Sequence, residues 1–178
     1  TSAIRLDGLD KVTGRAVYTV DVELPGMLSG AVLRSPYPHA RIVAIDTTRA
    51  QKAPGVRAVV TGKDMPYTFG IMIKDQPFIA IDRVRYVGEP VAAVAAETAL
   101  QAQEALEKIV VVYEELPAVF DPREAEREAA PILHPDLGKY PRAGIYEVLP
   151  GTNICSLRRY SLGNVDEGFR GADEIVKN

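Results

Sequence analysis

The chain has 178 residues, of which 47% are hydrophobic and 25% charged, with a formal net charge of −3. This composition indicates a globular protein with a core and excludes a disordered chain. The charges are interspersed without a basic stripe, and no apolar run is long enough to cross a bilayer, so neither a nucleic acid nor a membrane is an expected partner.

Short apolar stretches separated by glycine and proline make up the first half of the chain. Arg5–Gly14 predicts one or two helical turns that end at glycine, and Thr47–Lys52 predicts another helical turn. Turns are expected at Pro25-Gly26 and Pro54-Gly55, and an exposed loop over Gly62–Ala80. The predicted strands of this half are Met27–Leu33, Arg41–Asp46, Val56–Val60 and a short one near Phe78–Ile81.

A strand–helix–strand unit is the clearest pattern in the sequence. Val91–Ala96 is an apolar strand that follows Gly88-Glu89-Pro90, in which glycine gives a pivot and proline a fixed φ. Thr98–Lys108 then predicts a helix, and Ile109–Tyr113 a β-branched strand. The apolar positions with helical spacing are Ala102, Ala105, Leu106 and Ile109. The pattern predicts two neighbouring core strands that the helix covers.

The texture changes after Pro117. Asp121-Pro122 is a helix start, so Arg123–Ala129 predicts a short charged helix. Ala130–Gly151 is rich in proline and glycine and predicts a long connection. The elements predicted beyond it are a strand at Asn153–Ser161, a helical turn at Val165–Arg170 and a strand at Ala172–Lys177. We expect these last elements to open a second domain whose remainder lies outside this sequence.

The metal-binding residue types are few and scattered. His39 lies in a proline-rich turn and His134 in the long connection, and Cys155 is the only cysteine. Their spacing does not match a zinc site, so a turn or surface role is expected for both histidines. A single cysteine also excludes an intrachain disulfide and favours a reducing compartment, here the cytoplasm.

No motif for nucleophilic or phosphate chemistry stands out. Ser35 and Ser161 do not lie in a recognisable nucleophile motif with histidine and aspartate, and no glycine-rich phosphate loop occurs. Glu114 and Glu115 follow one another on a predicted strand, where adjacent side chains point to opposite faces. They are therefore not expected to act as a catalytic carboxylate pair.

A series of short motifs in a fixed order carries a family resemblance. The motifs are Asp7-Gly8, Lys11-Val12-Thr13-Gly14, Tyr18, Asp21, Pro25-Gly26-Met27-Leu28, Leu33–Ile42, Ile45-Asp46, Pro54-Gly55-Val56, Asp64, Val84–Ala96, Ala105, Val112-Tyr113-Glu114 and Leu116-Pro117-Ala118. In this order the sequence resembles the α/β hammerhead domain of the xanthine dehydrogenase/aldehyde oxidase family. The resemblance implies an α/β (α+β) fold with a mixed sheet.

The tail resembles the passage that opens the molybdopterin-binding region of such subunits. It carries Leu162–Asp166, Phe169, Ala172-Asp173 and Ile175-Val176, with Asn164 where that pattern usually has aspartate. The resemblance therefore implies a hammerhead domain at residues 1–120, a linker at 121–151 and the start of a molybdopterin-binding domain at 152–178.

The resemblance also implies a function for the longer protein. It is a molybdenum hydroxylase whose large subunit holds molybdenum on a molybdopterin, with iron–sulfur and FAD subunits or domains as partners. The family's catalytic glutamate and cofactor-binding loops lie C-terminal to this segment, so no catalytic, cofactor-binding or metal residue is assigned here. The Phe69-Gly70 loop and Tyr86–Pro90 are more similar to 4-hydroxybenzoyl-CoA reductase and bacterial aldehyde or carbon monoxide dehydrogenases than to animal xanthine dehydrogenases.

Two other functions stay open on the sequence alone. One is a non-catalytic assembly or binding module with the same fold. The other is a small hydrolase or transferase built on the strand–helix–strand unit, which only the fold class supports. The isolated chain is expected to fold, to bind no molybdenum and to be inactive, and an unpaired strand in its tail would favour a homo-oligomer.

Overall fold

The computed structural model describes residues 5–144, 147–158 and 160–176. The strands are β1 (Ser29–Arg34), β2 (Ala40–Asp46), β3 (Val56–Thr61), β4 (Thr68–Phe69), β5 (Gln76–Pro77), β6 (Arg83–Val84), β7 (Pro90–Ala96) and β8 (Val110–Glu115). The helices are α1 (Gly8–Val12), α2 (Thr48–Gln51), α3 (Ala99–Leu106), α4 (Pro122–Ala125) and α5 (Val165–Arg170), with a 3₁₀ turn at Thr19–Asp21.

The first sheet has the order β1-β7-β3 with antiparallel pairs. Its central strand β7 is apolar along its whole length because both of its faces are covered. Ala92 and Val94 face α3, whose Ala105 and Leu106 are buried against them. Thr98, the first residue of the predicted helix, is its N-cap and accepts the N–H of Gln101.

The second sheet has the order β6-β2-β8, again antiparallel. Val91 of β7 points away from α3 and joins Ala40 and Val84 in a second buried cluster. The rings of Tyr37 and Tyr113 close this cluster with their centroids 5.0 Å apart. Strand β7 thus contributes to both cores, and the alternation of its side chains is what joins the two sheets.

The α/β class is confirmed, but the described strands form three small antiparallel sheets instead of one mixed sheet. The prediction that Val91–Ala96 and Ile109–Tyr113 are neighbouring strands is wrong. Both edges of β7 are already hydrogen-bonded, to β1 and β3, so β8 pairs with β2 in the other sheet. The helix covers β7 as predicted.

Gly62–Ala80 and the long connection Ala130–Gly151 pack on each other. Strands β4 and β5 form a small hairpin, and its loop residue Ile73 forms an isolated antiparallel bridge with Arg142. Ile73 is buried with Leu137 and Val148 of the connection in a third cluster. The connection is therefore long and irregular, as predicted, but its described residues share a small core with the β4–β5 hairpin.

Three predicted strands are not formed. Phe78–Ile81 bends, because Pro77 ends β5 and the N–H of Ala80 is donated to the carbonyl of Pro90. The described part of Asn153–Ser161, which excludes Arg159, is irregular. Ala172–Lys177 forms no strand over residues 172–176, and Lys177 lies outside the described residues. A suitable pattern alone does not make a strand, because a strand also requires a hydrogen-bonding partner.

Candidate functional site

A network of polar contacts surrounds the Gly88-Glu89-Pro90 turn. Gly88 has a φ of 91°, which favours glycine, and its N–H is donated to the carbonyl of Ser35. The Ser35 N–H is donated in return to the carbonyl of Glu89 at 2.9 Å. The Ser35 hydroxyl is held between the backbone N–H and carbonyl of Tyr37, at 3.0 and 3.1 Å. Ser35 is thus a structural residue that ties β1 to the turn before β7.

Glu89 carries the buried carboxylate of this turn and is only 4% exposed. The carboxylate accepts the backbone N–H of Arg85 at 2.5 Å. Burial raises the pKa of Glu89 above its ordinary value of 4.5, because the loss of solvation outweighs the stabilising effect of the Arg85 amide and guanidinium. The sequence pattern predicted the turn but not the burial of its carboxylate.

Arg85 and His134 bring the long connection to this turn. The Arg85 Nε–H is donated to the carbonyl of Leu133 at 3.0 Å, and the adjacent His134 lies edge-on to the ring of Tyr140. Burial, followed by the charge of Arg85, holds the pKa of His134 below its ordinary value of 6.5. The side chains of Arg85, Glu89 and His134 line a groove of about 340 Å³.

His39 lies in the predicted turn but is buried, at 3% exposure, and not on the surface. Its Nδ1 is 2.7 Å from the carbonyl of Pro117, so this nitrogen carries the proton. The N–H of Leu116 is donated to the His39 carbonyl. His39 therefore ties the start of β2 to the end of β8, and His39 and His134 take part in different contacts.

A second groove, of about 620 Å³, lies beside the β4–β5 hairpin. Its walls are mainly apolar, with Phe69, Ile71 and Ile73, and Cys155 also lines it. Phe69 stacks on Phe78 with ring centroids 4.6 Å apart, and Ile71 is fully exposed. Exposed apolar walls of this size indicate a surface for an apolar molecule or another polypeptide.

The remaining candidate residues stay apart from one another. Glu114 forms an ion pair with Arg41 on the neighbouring strand, and Ser161 is exposed. Within residues 5–144, 147–158 and 160–176, no three histidine, cysteine, aspartate or glutamate side chains converge as metal ligands. None of the helices in those ranges is long and apolar enough to cross a membrane.

The sequence and the fold are similar to those of known oxidoreductases. Residues 13–117 match the family model for the aldehyde oxidase and xanthine dehydrogenase a/b hammerhead domain. A probable xanthine dehydrogenase subunit of Bacillus subtilis is 47% identical over 99% of this chain, which corresponds to 22% of that protein. The nicotinate dehydrogenase large molybdopterin subunit of Eubacterium barkeri is 37% identical over 98% of this chain and 38% of its own length.

A solved structure agrees with these matches. The Cu,Mo-CO dehydrogenase in its carbon monoxide reduced state superposes with a TM-score of 0.71 at 37% identity. The superposition covers 75% of this chain and 18% of that chain. The chain thus spans about a fifth to two fifths of the length of the relatives it matches.

Proposed function

Because this chain belongs to the aldehyde oxidase and xanthine dehydrogenase a/b hammerhead family, we propose that it is a scaffold within the large subunit of a molybdenum hydroxylase. The observation that carries the proposal is the family match over residues 13–117, which include every strand of both main sheets. In this role the chain supplies a rigid support, and the substrate is oxidised at a site formed by other parts of the longer subunit.

The polar contacts support a structural role. Ser35 and His39 make their hydrogen bonds with backbone groups of neighbouring strands and turns. Glu89 is likewise held by the amide of Arg85. A nucleophile or general base must instead present its reactive atom to a substrate. We therefore assign no catalytic residue to the described part of the chain.

The grooves do not fit a molybdenum-bearing pterin cofactor. The 340 Å³ groove has two carboxylates, Glu89 and Asp75, against the one guanidinium of Arg85, so it does not offer the cationic lining that suits an anionic cofactor, and the 620 Å³ groove is lined mainly by apolar side chains. We propose that the cofactor is held by other parts of the large subunit. The proposed division of this chain is a hammerhead domain at 1–120, a linker at 121–151 and the start of the molybdopterin-binding domain at 152–178.

The names of the relatives guide the proposal for the whole enzyme. The two relatives compared in sequence are named for xanthine and nicotinate, which are both nitrogen heterocycles. This supports a nitrogen-heterocyclic substrate, whereas the Phe69-Gly70 loop and Tyr86–Pro90 resembled 4-hydroxybenzoyl-CoA reductase and bacterial aldehyde or carbon monoxide dehydrogenases. Iron–sulfur and FAD subunits are the proposed electron-transfer partners. A cytoplasmic location is also proposed, since these 178 residues contain one cysteine, Cys155, and a low cysteine content is typical of a reducing compartment.

The test compares the 178-residue chain with the large subunit that contains it. The large subunit, purified with its partners, should contain molybdenum by elemental analysis and should oxidise nicotinate or xanthine with a dye as acceptor. The chain alone should contain no molybdenum and oxidise nothing. Stoichiometric molybdenum with turnover in the chain alone would refute the scaffold role. A large subunit that carries no molybdenum would refute the enzyme class.

A further inference from the structure

The N-terminal arm, residues 5–28, exposes an unusual density of large apolar side chains. No residue of the arm is buried. Its exposed apolar residues, between 42% and 98% accessible, are Leu6, Leu9, Val12, Val17, Tyr18, Val20, Val22, Leu24, Met27 and Leu28. A soluble monomer rarely leaves a surface of this kind in water, so the arm has the character of an interface.

The arm nevertheless has a defined local structure. After α1, Gly14 takes a φ of 71°, and the N–H groups of Arg15 and Ala16 are both donated to the carbonyl of Asp10. The 3₁₀ turn is closed at both ends, because the N–H of Tyr18 is donated to the Asp21 carboxylate and the N–H of Asp21 to the Tyr18 carbonyl. These bonds shape the arm although none of its residues is buried, and a shape that is already set lowers the ordering cost of docking.

The cationic side chains of the arm are paired within the arm. Arg5 and Lys11 both pair with Asp7, and Arg15 pairs with Asp10. The cationic side chains thus have local partners, and what is left for an external surface is largely apolar. Permanent interfaces have this apolar character, whereas transient interfaces resemble the rest of the protein surface.

We propose that the arm is a docking element that the remainder of the large subunit covers. The inference rests on the proposed function, in which this chain is part of a longer subunit. The remainder of the large subunit is the partner that fits, because 99% of the chain, arm included, matches a protein of which it makes up only 22%. A permanent interface with the rest of the same polypeptide accounts for the apolar composition of the arm, and the extra length of the relative provides the partner surface.

The test uses the Bacillus subtilis relative as the source of the partner. Its part outside the match is produced as a separate polypeptide, shown to be folded by circular dichroism, and mixed with the 178-residue chain. Hydrogen exchange at the arm amides should be slower in the complex than in the free chain, and it should also be slow at the matching segment of the intact relative. Val20→Asp should weaken the complex at least tenfold, because Val20 is 90% exposed on the arm. The control Leu100→Asp, 69% exposed on α3, should leave the affinity unchanged.

Three outcomes would overturn the inference. They are no binding by the folded remainder, binding with arm amides that exchange as fast as in the free chain, and protection of the arm in the chain alone as its concentration rises. The last outcome would assign the arm to a second copy of the chain. Molybdenum analysis of the complex separates this test from that of the proposed function. A protected arm without molybdenum contradicts only the function, and molybdenum with an unprotected arm contradicts only the docking.

Discussion

Two leucines on the same helix provide a direct test of the core. Leu106 of α3 is 6% exposed and packs on the first sheet, whereas Leu100 of α3 is 69% exposed. Alanine favours the helix at least as well as leucine, so each Leu→Ala change leaves the helix intact. Any difference between the two variants therefore reports burial alone.

The expected cost of Leu106→Ala is about 3 kcal/mol, within the range of roughly 2–5 kcal/mol for buried leucines. The neighbours of Leu106 include Ala92 and Ala105, which are too small to fill the cavity that the change leaves. For a chain of this size, such a loss lowers Tm by about 6–12 °C. Leu100→Ala should stay within about 0.5 kcal/mol of the wild type.

Urea unfolding followed by far-ultraviolet circular dichroism measures both variants, since the chain contains no tryptophan. Equal midpoints for Leu106→Ala and Leu100→Ala would refute the packing of α3 on β7. A more severe change, Leu106→Asp, places a charge against the same sheet and should cost several kcal/mol, enough to unfold a marginally stable domain.

Three further predictions concern the turn, the connection and a close backbone approach. The folded state binds a proton at Glu89 more readily than the unfolded state, because its pKa lies above 4.5. The unfolding free energy of the wild type should therefore rise relative to that of Glu89→Gln as the pH falls through the raised pKa toward 4.5. Urea titrations of the two proteins that run parallel across this pH window would contradict the prediction. The pKa of His134 lies below 6.5, so its titration followed by NMR should have a midpoint below that value. The unfolding free energy that the neutral, folded form contributes should be lost as the pH falls through the folded pKa. A midpoint above 6.5 would show that His134 is not buried beside a cation. A Cβ at Gly62 would lie 2.2 Å from the backbone oxygen of Ala80. Gly62→Ala should therefore destabilise the chain by more than about 1 kcal/mol in thermal melts. Gly30→Ala is the control in the same melts, because a Cβ at Gly30 meets open space.

The sequence predicted the local elements well where the pattern was strong. The five long strands (β1, β2, β3, β7 and β8), the α3 helix and the turns at Gly26, Gly55 and Gly88 lie where periodicity, glycine and proline placed them. These features depend on a residue's own backbone preferences and on the alternation of side chains. Both can be recognised within a window of about ten residues. The ordered motifs also led to the correct family.

Strand pairing and the environment of polar side chains depended on the tertiary structure. The pattern around α3 could not show that β7 has both edges occupied, nor that β8 therefore joins the other sheet, because pairing is decided between residues far apart in the chain. Likewise, Glu89 and His39 look like ordinary turn residues in the sequence. They become buried only because β1, β7 and β8 meet around them, and burial is a property of the assembled layers that no local pattern contains.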